Sequence, residues 1–94
     1  MARYLQYLYM KTNKNNKDMR PLYTIAREIR KDWKNVSCYA APYLQAMFCL
    51  ESVNDNYGFD SGRSIVSYFL ANAGSWRGET AKKIKAELKE MLKK

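Results

Sequence analysis

Pro21-Leu22-Tyr23-Thr24-Ile25-Ala26-Arg27-Glu28-Ile29-Arg30-Lys31-Asp32-Trp33-Lys34 is the stretch that decides the fold class. Leu22, Ile25, Ala26, Ile29 and Trp33 recur at helical spacing on one face, while Arg20, Arg27, Arg30, Lys31 and Lys34 gather on the opposite one. Glu28 and Asp32 fall between the two. Pro21 has the fixed φ of a first helical position and lacks the N–H that such a position would leave unpaired. The pattern predicts an amphipathic helix from Pro21 to about Lys34.

The same reading extends toward the C-terminus. Pro42 opens a second helix, expected to reach about Val53, with Leu44, Met47, Phe48 and Leu50 giving it apolar character around most of its circumference. It is expected to be the buried central helix. Asn54-Asp55-Asn56-Tyr57-Gly58 reads as a turn. Asp60 or Ser61 caps a third helix carried by Ile65, Val66, Phe69, Leu70 and Ala73, with Gly74 as its terminator. A fourth helix starts at Trp76 or Glu79 and runs to Leu92, with Ala81, Ile84, Leu88, Met91 and Leu92 toward the core. Lys82, Lys85, Lys89 and Lys93 line one flank of it, and Glu79, Glu87 and Glu90 the other.

Toward the N-terminus the signal weakens. Thr12 to Asp18 has no apolar residue and reads as a flexible polar loop. Tyr4 to Met10 fits a short helix or a strand, and a short helix is the reading adopted. The expected architecture is therefore all-α: one small domain spanning residues 1–94, a bundle of four to five amphipathic helices. No internal repeat or long heptad run is visible.

Composition excludes more than it identifies. The 94 residues carry 17 Lys+Arg against 9 Asp+Glu, a formal charge of +8, which favours an acidic partner. The charge is concentrated at the ends: residues 1–35 hold nine basic and three acidic side chains, residues 36–76 one and three, and residues 77–94 seven and three. The chain has no histidine. That removes the commonest general base, the commonest metal ligand and every Ser-His or Cys-His pair. No Gly-rich phosphate loop, CxxC pair or Walker lysine is present, so the expectation is a non-enzyme with no cofactor and no bound metal. Glu51, Asp55 and Asp60, with Asn54 and Asn56, make up the one carboxylate cluster; at best it would offer oxygen ligands to Mg²⁺ or Ca²⁺, and its spacing matches no EF-hand loop.

Cys38 and Cys49 are too few for a disulfide framework, the longest uncharged stretch, Asn35 to Leu50, is too short to cross a bilayer, and the first residues do not resemble a signal peptide. A cytoplasmic protein without a membrane partner is expected.

If the first and fourth helices lie side by side, their basic stripes can merge into one ridge for a phosphate backbone or an acidic protein groove; otherwise each stripe is a solvated face. Trp76-Arg77-Gly78 can hold a phosphate or carboxylate, or can simply anchor a helix junction. Asp60-Ser61-Gly62-Arg63-Ser64 can bind an anion, although capping accounts for Asp60 and Ser61. Treating Gly74 as the turn glycine of a helix-turn-helix places Ser75, Thr80 and Lys83 where that motif buries apolar residues, so the fit is poor. Tyr4, Tyr7, Tyr9 and Tyr23 are candidates for base stacking, or ordinary core-edge residues. The candidate partner-binding set is Arg20, Arg27, Arg30, Lys31, Lys34, Arg77, Lys82, Lys85 and Lys89.

From Arg20 to Leu92 the chain resembles a family of small proteins found in bacteriophage and mobile-element genomes. The segments carrying the resemblance are Arg20-Pro21-Leu22-Tyr23 with Ile25-Ala26-Arg27-Glu28-Ile29, Asp32-Trp33, Pro42-Tyr43-Leu44-Gln45-Ala46-Met47, Asp55-Asn56-Tyr57, and Tyr68-Phe69-Leu70-Ala71-Asn72-Ala73 followed by Trp76-Arg77-Gly78-Glu79. The family carries no assigned activity. The resemblance implies a setting in the cytoplasm of a host bacterium, where small phage proteins bind and block host complexes such as CRISPR effectors or restriction enzymes. The expected function is a basic, non-enzymatic inhibitor or modulator of a host nucleoprotein complex, anti-CRISPR-like. The alternatives are a sequence-tolerant DNA- or RNA-binding accessory protein and, last, a metal-carboxylate enzyme.

Overall fold

The computed structural model describes residues 20–93. The expected helix at Tyr4 to Met10 and the polar loop at 12–18 lie outside the described residues. Among the described residues there are four helices: α1 Leu22–Asp32, α2 Ala41–Met47, α3 Gly62–Ala71 and α4 Glu79–Lys93. Between α2 and α3 a short antiparallel hairpin pairs β1 Asn56–Tyr57 with β2 Asp60–Ser61. The chain is thus mostly helical rather than all-α as expected. α1 packs on α2 and α4, and α3 packs on the same two, so each helix has two neighbours.

α1 buries the apolar face expected of it: Leu22, Ile25, Ala26 and Ile29 are fully buried, and Trp33 nearly so. Its first two N–H groups have no intrahelical acceptor, as at any helix start. Here Leu22 N–H donates to the Glu51 carbonyl and Tyr23 N–H to the Leu50 carbonyl, both at 3.0 Å. That contact explains the largest departure from expectation. α2 stops at Met47 instead of running to Val53. The N–H groups of Phe48, Cys49 and Leu50 bond three residues back, to Gln45, Ala46 and Met47, which tightens the last turn. The Leu50 and Glu51 carbonyls then turn toward α1, and the Asp55 carboxylate accepts the Glu51 and Ser52 N–H groups at 3.0 and 3.1 Å. Leu50 and Val53 are buried all the same, so the apolar pattern was a core pattern without being a helical one.

The expected turn at 54–58 is the first half of the hairpin. Tyr57 pairs with Asp60, leaving Gly58 and Phe59 as a two-residue loop. Gly58 has φ +64 and Phe59 has negative φ, the combination of a type II′ turn with glycine at its first central position.

α3 is capped as expected by Ser61, whose Oγ accepts the Ser64 N–H at 3.1 Å. It ends at Ala71 with Asn72, not Gly74, at the cap. The Asn72 N–H reaches the Tyr68 and Phe69 carbonyls, and its side-chain amide donates to the Tyr68 carbonyl at 2.8 Å. The glycine whose conformation demands glycine is Gly78, at φ +114 just ahead of α4. At the far end of α4, Arg63 Nη1 donates to the Leu92 carbonyl at 2.9 Å.

The core centres on three rings. Trp33 and Trp76 stack with centroids 5.7 Å apart and planes 9° from parallel. Phe69 meets them edge-on at 6.2 and 6.4 Å. The Trp76 indole N–H donates to the Asp32 carboxylate at 2.8 Å, so its polar atom is satisfied at the core boundary. No described helix is long and apolar enough to cross a membrane.

Candidate anion-binding cleft

Gly78 turns the chain from the α3–α4 connection into α4, which begins at Glu79, and this sets Trp76, Arg77 and Gly78 beside the first turns of the helix. Together with Glu79, Ala81, Lys82 and Lys85 they line an open cleft of about 470 Å³. Trp76 is its buried wall, while Arg77 and Lys82 are exposed at its rim. Lys85 is half-buried; its ammonium donates to the Trp76 carbonyl at 2.7 Å and sits 5.8 Å from the centre of the Trp76 ring. The Lys85 ammonium is held below the ordinary lysine value, first by partial desolvation and then by the positive charges of Lys89 and Arg77. Like charges are thus gathered around one concavity. Among the described residues neither the three cations of the lining, Arg77, Lys82 and Lys85, nor the neighbouring Lys89 has a carboxylate within ion-pair distance. Glu79 is the one acidic side chain in the lining, placed where the helix dipole favours it.

A pH consequence follows with a definite sign. A lysine whose folded-state value is depressed binds fewer protons folded than unfolded, so stability rises as pH climbs through the folded value toward the unfolded one. Thermal melts of the wild type from neutral pH to about pH 10.5 should show this alkaline gain, and Lys85→Met should lose it. An identical slope in the two proteins would contradict the assignment.

The expected basic ridge across α1 and α4 does not form at their contact. The two helices do pack together, but their seam is lined by Glu28 and Glu87 with Arg20 between them. Arg20 Nε and Nη2 donate to the two Glu87 oxygens at 2.9 Å each, and Nη1 and Nη2 donate to Glu28 at 2.7 and 3.2 Å. The Glu87 hydrogen bonds above all, then Glu28, outweigh desolvation and raise the Arg20 pKa further, so the guanidinium is charged throughout. Arg20, read from sequence as a binding residue, is a clamp between helices. Further along the same seam lies the Asp32–Trp76 hydrogen bond.

The remaining α1 cations lie elsewhere. Arg27 sits over the Tyr23 ring at 5.6 Å and Arg30 over the Phe48 ring at 5.3 Å; Lys31 and Lys34 are exposed. The structure therefore brings together Arg77, Lys82 and Lys85 in the cleft, with Lys89 outside its lining but near Lys85, and leaves Arg27, Arg30, Lys31 and Lys34 as a separate exposed set.

Two other sequence candidates are already occupied. In Asp60-Ser61-Gly62-Arg63-Ser64, Ser61 caps α3 and Arg63 caps α4. In the carboxylate cluster, Asp55 holds two backbone N–H groups, and among the described residues no three His, Cys, Asp or Glu side chains come together as metal ligands would. Sequence reasoning missed Phe59, the most exposed large apolar side chain among the described residues, at the hairpin tip. The signal was there: a glycine at the first of two residues between Tyr57 and Asp60 is the II′ hairpin pattern. No family model, curated protein or solved structure matches the chain.

Proposed function

We propose that the protein is a non-enzymatic binding protein of phage type that docks on an acidic ligand in a host nucleoprotein complex, as an anti-CRISPR-like inhibitor or modulator would. The observation that supports this reading is the convergence of Arg77, Lys82 and Lys85 on one cleft without an ion-pair partner among the described residues, with Lys89 close enough to Lys85 to add its charge. Crowded like charges are unfavourable to the free protein, and an incoming phosphate or carboxylate relieves them. Lys85 supports the wall through the Trp76 carbonyl, which leaves Arg77 and Lys82 as the residues to contact the ligand.

The experiment is recovery of the tagged full chain from a bacterial host, with and without nuclease, for the wild type and for Arg77→Glu/Lys82→Glu. Charge-assisted hydrogen bonds contribute roughly 1.5–3 kcal/mol each, so the double reversal should weaken binding at least about tenfold while the helical circular dichroism is unchanged. A nuclease-resistant complex that the double reversal leaves intact would sink the cleft as its docking site.

A direct, sequence-tolerant nucleic-acid reading is favoured by a different observation, the exposed Arg27 and Arg30 lying over the Tyr23 and Phe48 rings. It requires every recovered partner to vanish with nuclease, and affinity for a mixed-sequence oligonucleotide to fall steeply as salt rises.

A further inference from the structure

α1 carries two acidic residues, and both are engaged on its α4 side: Glu28 is bound by Arg20, and Asp32 accepts the Trp76 indole N–H. The opposite flank, toward the end of α2, is left to cations. Arg27, Arg30, Lys31 and Lys34 are exposed, and the chain that follows carries no charged residue from Asn35 to Leu50.

Two of these cations are paired with rings. The Arg27 guanidinium lies over Tyr23, four residues back on the same helix, at 5.6 Å, and the Arg30 guanidinium lies over Phe48, the residue that follows α2, at 5.3 Å. Both distances fall inside the roughly 6 Å reach of a cation–π contact. Tyr23 and Phe48 are half-buried, Phe48 against the core, and the Tyr23 N–H donates to the Leu50 carbonyl, so each ring rises from fixed backbone. A long side chain already held over a ring loses less freedom when a ligand arrives.

Lysines and flat groups on one flank recognise different parts of a nucleic acid. Lys31 and Lys34 meet phosphates, which single strands and duplexes both present. Rings and guanidinium planes meet the faces of bases, and these are open only where bases are unpaired, because in a duplex each base is covered by its neighbours. An acidic protein surface would engage the cations and leave the rings unused. We infer, building on the nucleic-acid reading above, that the flank of α1 formed by Tyr23, Arg27, Arg30 and Phe48 is a stacking site for unpaired bases, which gives the protein a preference for single-stranded over double-stranded nucleic acid. The cleft on α4 lacks this capacity, since the ring in its wall, Trp76, is buried and stacked on Trp33.

The test is fluorescence anisotropy of the full chain on a labelled mixed-sequence strand of about 20 nucleotides, longer than such sites occupy, in DNA and in RNA form, alone and annealed to its complement. At about 0.15 M salt the single strand, in at least one of the two sugars, should bind at least about tenfold more tightly than its duplex. Arg27→Lys/Arg30→Lys keeps both charges and loses the planes; Phe48→Leu keeps apolar packing and loses the ring. Each should weaken single-strand binding about tenfold, the loss expected for one stacked base, and leave the slope of log affinity against log salt unchanged. Tyr68→Leu removes an exposed ring that has no cation over it among the described residues, and should change neither.

Equal affinity for strand and duplex, or tighter binding of the duplex, overturns the inference and leaves the nucleic-acid reading standing. Absence of binding to both overturns the two together. A single-strand preference that survives both Arg27→Lys/Arg30→Lys and Phe48→Leu, or one that Tyr68→Leu abolishes, overturns the inference as well, because the bases then stack elsewhere.

Discussion

Phe69→Ala is expected to cost about 3–5 kcal/mol, the range for a fully buried phenylalanine. A domain of this size has a total stability of only roughly 5–15 kcal/mol. Phe69 has no exposed surface and makes the edge contacts that hold the Trp33–Trp76 stack. It lies on α3, while Trp33 follows α1 and Trp76 precedes α4, so the cavity opens where three segments meet. Neither indole can collapse into it easily: Trp76 is tied to Asp32, and its carbonyl and ring are held by Lys85. At about 4–8 °C per kcal/mol for a small domain, the melting temperature should fall by roughly 12–40 °C. A thermal scan followed at 222 nm measures it. A drop of only a few degrees would show that the three rings repack without Phe69.

The second large effect comes from adding a single methyl group. A Cβ at Gly62 would lie 2.8 Å from the Ser52 carbonyl oxygen and 2.9 Å from both the Val53 Cα and its carbonyl oxygen. All three are backbone atoms, and that backbone is itself pinned, because Ser52 N–H is held by Asp55 and Gly62 N–H donates to the Asp55 carbonyl at 2.6 Å. Overpacking of this kind costs about 1–3 kcal/mol, and immobile neighbours put this site at the upper end. Replacing a helical glycine with alanine returns roughly 0.5–1 kcal/mol. Gly62→Ala is therefore expected to destabilise by about 2 kcal/mol net, whereas Gly74→Ala, with nothing within 4 Å of the added atom, should be neutral or slightly stabilising. Urea titrations of the two variants side by side provide the comparison. Equal midpoints would show that α3 shifts away from residues 52–53 without penalty.

The core faces of α1, α3 and α4 were legible in the sequence because apolar residues at spacings of three and four can satisfy only one side of a helix, and Leu22, Ile25, Ile29, Ile65, Phe69, Ile84 and Leu88 are buried as that rule requires. The Ser61 cap was legible for the same local reason. The end of α2 was not. Leu50 and Val53 continue an apolar pattern, and only the approach of α1 to the Leu50 and Glu51 carbonyls decides that the helix stops earlier. In the cleft, Arg77, Lys82 and Lys85 could be named from the sequence, but their convergence depends on how Gly78 turns the chain. Arg20 shows the opposite case. Nothing local to it reveals that Glu87, 67 residues away, will take two of its donors.

The stacked pair of Trp33 and Trp76 also governs how this molecule can be watched. They are the chain's two tryptophans, they lie 5.7 Å apart, and they share one environment between α1 and the start of α4. Indole emission and the strongest near-ultraviolet dichroism therefore come from one spot, and the two fluorophores report as a unit. A denaturation curve recorded at tryptophan emission follows the opening of that seam, while the hairpin and the α2–α3 face can loosen without being seen. Agreement of that curve with the far-ultraviolet signal of the helices is thus a real test of all-or-none unfolding in this protein, because the two probes observe different parts of it.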